Sequence, residues 1–169
     1  MKKVNNLTKG GIYTALSVIC IYLSSIVTTN KLFLLGAASC IIPLSILTTS
    51  LRNSLIVYGA SSLLSIVLGL RGAALAYLIF FGSYGFIKYY VERIRKVPIE
   101  IAIKLAFFNA CLYATFKLYN ILFTGMFKIN IPIYYMVIML QVIFLIYDYA
   151  ITVFISYVNT RILRKNYMK

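Results

Sequence analysis

Hydrophobic residues run through this chain in long stretches, and the polar positions fall at the edges of those stretches instead of alternating with them. Crossing about 30 Å of hydrocarbon takes roughly 20 predominantly apolar residues. Cutting the sequence wherever charge or turn chemistry interrupts such a run predicts six helices, near 10–28, 33–50, 53–70, 72–90, 100–124 and 131–158. The connections are short, and even the longest, 90–100, cannot fold as a domain of its own. The expectation is an all-α polytopic membrane protein: one membrane domain over residues 1–169, built as a six-helix transmembrane bundle.

Composition supports that pattern. The hydrophobic set makes up 62% of the 169 residues and charged residues 12%, and mean hydropathy is +0.92, so there is too little polar surface to clothe a soluble domain. The net charge of +14 would suggest nucleic acid in a soluble chain. In a membrane protein it is first a topology signal. With six spans, Lys2, Lys3, Lys9, Arg52, Lys88, Arg93, Arg95, Lys96, Lys104, Arg161, Arg164, Lys165 and Lys169 fall on or next to one face. Lys31, Arg71 and Lys128 fall on the other, and Lys117 lies within a span. This positive-inside bias predicts a multi-pass protein of the cell membrane with both termini cytoplasmic, and it accounts for the charge without nucleic acid. A five-span alternative, with the second and third segments fused as a re-entrant pair, would put the basic tail outside. The first segment shows no small-residue cleavage pattern, so a removed signal peptide is not expected.

Chemistry is scarce. Zero His and three acids leave little for nucleophile activation, zinc binding or acid/base work, and Cys20, Cys40 and Cys111 lie at no metal spacing, so they read as packing residues. Neither enzymatic activity, a cofactor nor a metal is expected. On the cytoplasmic side, 88–96 should extend the fourth helix as a basic elbow, with Glu92 and Lys96 as a surface pair and Pro98 preventing continuation; it is a candidate contact for anionic lipid or a soluble partner.

Three further patterns carry information. Small residues four apart (Gly11 with Ala15, Ser61 with Ser65 and Gly69, Gly72 with Ala76) suit close helix packing. Pro43 interrupts the second span, and Gly82 and Gly85 should loosen the end of the fourth. Polar residues within spans are costly unless partnered. Asp148 is the only acid inside a span, and either Lys104 or Lys117 on the neighbouring helix could reach it; a hydrated cavity is the other possibility. With Asn109, Asn120 and Gln141, these residues make the fifth and sixth spans the polar half of the bundle. Tyr22, Tyr77, Tyr119, Tyr134, Tyr135 and Tyr157 fall near expected interfaces, where a ring with a polar tip is at home. On the outer side, Lys117, Tyr119, Asn120, Asn130, Tyr134 and Tyr135 form a candidate site for a small polar-aromatic ligand.

The basic start, the run 7–16 (LTKGGIYTAL) opening the first helix, six short-looped spans and a length near 170 resemble the substrate-capture (S) subunits of energy-coupling-factor vitamin transporters. The resemblance implies a bundle that binds a vitamin-like small molecule near its outer face. It also implies docking, through small residues of the first helix, here Gly11 and Ala15, onto a transmembrane coupling subunit driven by two ATPases. The alternative is a non-catalytic membrane scaffold in envelope assembly or sporulation, similar in size and span count to rod-shape-determining membrane proteins.

Overall fold

The computed structural model describes residues 2–27, 29–94, 96–122 and 133–160, and among them every regular element is helical. Helix α1 is Lys2–Ile26, α2 Lys31–Thr48 and α3 Leu51–Val67. The fourth rod, α4, runs over Arg71–Ile94, and α5 (Val97–Leu122) and α6 (Ile133–Val158) complete the chain. Five of the six are long and apolar enough to cross a membrane; α3, at 17 residues, is shorter and reaches about 25 Å. Hydrophobic runs located the helices well, but α1 starts eight residues before the expected 10, because the polar segment ahead of the apolar run holds no proline and continues the same helix through Gly10 and Gly11.

Local chemistry sets the joints. The Ser50 side chain accepts the backbone N–H of Asn53 at 3.3 Å, capping α3. Gly69 has φ +78°, a left-handed conformation that lets the chain reverse tightly between α3 and α4. Pro98 sits in the first turn of α5, where its missing N–H costs nothing.

The helices meet through small and aromatic side chains. Helix α1 buries Ser17, Ile21 and Ser24 against its neighbours, and Ser54 donates to Ser45 at 2.9 Å across the α2–α3 contact. Pro43 is buried inside a continuous α2. Contrary to expectation, Gly82 and Gly85 do not mark a loosened helix end; both are points of closest approach. A Cβ on Gly82 would lie 2.6 Å from the Tyr58 ring, and one on Gly85 would lie 2.9 Å from Ile42 Cγ2 and 3.0 Å from Pro43 Cδ. The irregularity of α4 lies one turn earlier, in a π-helical turn at Tyr77–Phe81. There the Leu78 carbonyl accepts Tyr58 Oη at 2.6 Å, and the Ile79 carbonyl accepts Ser83 Oγ at 2.6 Å and the Cys111 thiol at 3.4 Å. Widening the helix exposes carbonyls to such donors. The same turn carries Tyr77 to full burial, not to an interface, and sets Phe80 among Phe108, Phe144 and Tyr147. Phe108 and Phe144 stack at 4.5 Å, joining α5 to α6.

Candidate functional site: a buried ion network joining three helices

Beside this aromatic floor, α4, α5 and α6 bring together all three acidic residues of the chain around two buried lysines. Lys88 on α4 is 0% exposed and Lys104 on α5 is 3% exposed. The Lys88 ammonium donates to Asp148 Oδ1 at 2.5 Å and Thr152 Oγ1 at 2.7 Å on α6, and pairs with Glu92 at 2.7 Å one turn along its own helix. Lys104 donates to Asp148 Oδ2 at 2.9 Å and to Glu100 Oε1 at 2.6 Å one turn back on α5, with Glu92 at 3.8 Å. Tyr84 Oη donates to Asp148 Oδ1 at 2.5 Å.

Helical periodicity builds the network. Residues four apart share a face, so Lys88 with Glu92 and Glu100 with Lys104 are local pairs that any helix over those residues would form. Packing of Phe80, Phe108 and Phe144 then brings those two faces to Asp148. Tyr84 and Lys88, also one turn apart, both point at the same carboxylate oxygen. The Asp148 carboxylate therefore takes three donors from two other helices, and all three hydrogens of the Lys88 ammonium are used. Satisfaction of this kind lets charged groups remain buried. The arrangement clamps three helices together, and its carboxylates are all committed to donors.

Several expectations change here. Asp148 pairs with Lys104, one of the two candidates, and not with Lys117. Lys117 is exposed, with its ammonium 5.4 Å from the Tyr113 ring centroid one turn back. Lys88, read as a rim charge, is the most deeply buried cation among the described residues, and Glu92 pairs with it and not with Lys96. The signal was present in the sequence, because two of the three acids stand four residues from a lysine. Hydropathy, by treating each lysine as the end of a span, hid it. Asn109 faces outward and bonds its own-helix Leu105 carbonyl at 2.9 Å, so it adds nothing to a polar interior, while Gln141 is half-buried on α6.

Of the outer-side candidates, Tyr135 is exposed. Asn130 lies outside the described residues, as do the side chains of Tyr119, Asn120 and Tyr134. On α1, Gly11 and Ala15 are both exposed, and a Cβ on Gly11 would meet nothing within 4 Å; the neighbouring Gly10 is instead buried, its Cβ position 3.0 Å from Asn53 Nδ2. A groove of about 420 Å³ between α2 and α6, lined by Phe33, Gly36, Cys40, Ala150 and Phe154 among others, is apolar. Comparison with family models, curated proteins and solved structures finds no match.

Proposed function

We propose that the chain is an integral membrane protein crossing the bilayer six times, with both termini cytoplasmic. In this reading it is the substrate-binding subunit of an uptake system for a vitamin-like small molecule, energised by partner ATPase subunits through a transmembrane coupling protein. The observation that carries this reading is the division of α1 into two faces. Gly10, Ser17, Ile21 and Ser24 are buried in the bundle, whereas Gly11 and Ala15 stand on the other face beside exposed Ile12, Leu16 and Ile19. A helix that faces only lipid gains nothing from glycine. A helix that receives another helix gains close backbone approach. The bundle does not use this face itself, so a partner is its natural occupant.

The ion network complements this role, since it fastens α4, α5 and α6 without drawing on α1. The ligand is assigned to the outer halves of α5 and α6, where Lys117 and Tyr135 are exposed on the two helices.

Co-purification tests the reading. Affinity isolation of the full chain from its native membrane should recover a polytopic coupling protein together with two ATPases. G11L combined with A15L should abolish that recovery while leaving the thermal unfolding of the isolated chain unchanged. Recovery of cell-envelope assembly proteins instead would favour the scaffold role, and equal recovery with the double variant would remove α1 as the docking face.

A further inference from the structure

The ion network uses every side-chain carboxylate in the chain. Of seventeen Lys and Arg residues, Lys88 and Lys104 are paired inside it, and three carboxylates against two ammonium groups leave a single negative charge to set against fifteen further cations. Several of these cations collect at one end of the bundle. The Asn53 side chain donates to the Asn6 carbonyl at 2.9 Å, which brings the starts of α1 and α3 together, with exposed Lys9 and Arg52 next to the joint. Arg93, in the last turn of α4, and Lys96, just beyond it, are both exposed.

This elbow between α4 and α5 is not purely cationic. Tyr89, Tyr90, Ile94, Val97 and Ile99 are exposed around the same two charges, with Val97 65% accessible. A soluble acidic partner or a nucleic acid would satisfy Arg93 and Lys96 and leave these side chains wet. A bilayer interface takes both kinds of group: the rings and aliphatic chains enter the acyl boundary, and the cations meet phosphates. Charge complementarity and the interleaved apolar residues therefore point to one occupant.

We propose that the exposed residues Tyr89, Tyr90, Arg93, Ile94, Lys96 and Val97, together with Lys9 and Arg52, form a binding surface for anionic lipid headgroups, which supply counter-charge to cations that three acids cannot balance. This rests on the membrane reading above.

Native mass spectrometry of the full chain in mild detergent, titrated with phosphatidylglycerol or phosphatidylcholine of matched acyl chains, tests the proposal. Phosphatidylglycerol should be retained preferentially. R93Q with K96Q should weaken its retention by about fivefold per charge removed, as should K9Q with R52Q, whereas K31Q with R71Q at the opposite end should leave it unchanged. Retention should also fall as salt is raised. Equal retention of the two lipids overturns the proposal. So does an equal loss in K31Q with R71Q, which would mean net charge alone, and so does tighter binding of a poly-glutamate peptide than of phosphatidylglycerol at the elbow. Alkaline extraction of native membranes tests the underlying reading separately. Release of the chain by carbonate would refute membrane integration, while retention of the chain with no lipid preference would refute only the headgroup surface.

Discussion

Taking the carboxylate from Asp148 leaves two ammonium groups buried with one fewer partner each. Breaking a buried pair by removing one member typically costs about 3–5 kcal/mol. D148N is expected to fall in that range in detergent unfolding, and combining it with K104Q should cost less than the sum of the two, because they act on one network. Y84F removes a single hydrogen bond to the same carboxylate and should cost about 1.5–3 kcal/mol. If D148N unfolded at the wild-type temperature, the clamp would be an ornament of the packing. At this scale the sequence showed half of the site: an acid alone in a span announces a buried partner, but which lysine it meets depends on helix rotation, and periodicity four residues at a time, not hydropathy, carries that information.

Among the helices, the glycines of α4 divide into those that touch and those that do not. G82A and G85A both drive a methyl group into packed side chains, Tyr58 in one case and Ile42 with Pro43 in the other. Overpacking of this kind costs about 1–3 kcal/mol. G72A, where a Cβ meets nothing within 4 Å, should leave stability unchanged or slightly raised, and unfolding of the three variants side by side checks the contrast. Helix positions were legible because each run of apolar residues is one rod. The π turn at Tyr77–Phe81 was not, because the run YLIFF reads as ordinary helix, and its widening depends on donors from α3 and α5 that only packing supplies.

For the whole molecule, the membrane reading fixes an orientation. Single cysteines at Lys9 and Arg52 should be labelled from the cytoplasmic side and single cysteines at Lys31 and Arg71 from the outside, as six crossings and the charge bias require. Labelling of all four from one side would refute it. The overall charge was legible from the sequence. Its internal division, with every acid gathered around two lysines and the other cations among the described residues exposed, emerged only when α4, α5 and α6 were placed together.

That division also imposes an order of assembly on the ribosome. Lys88 is made 60 residues before Asp148, and Lys104 is made 44 residues before it. At synthesis rates of about 5–20 residues per second, Lys88 waits about 3–12 s for the acid that completes its site. During that interval each lysine has one companion already within its own helix, Glu92 for the first and Glu100 for the second. The two glutamates are therefore expected to partner Lys88 and Lys104 in the nascent chain until the last helix arrives. E92Q and E100Q should therefore lower the yield of inserted protein in pulse-labelled cells more than they lower the melting temperature of the protein that survives.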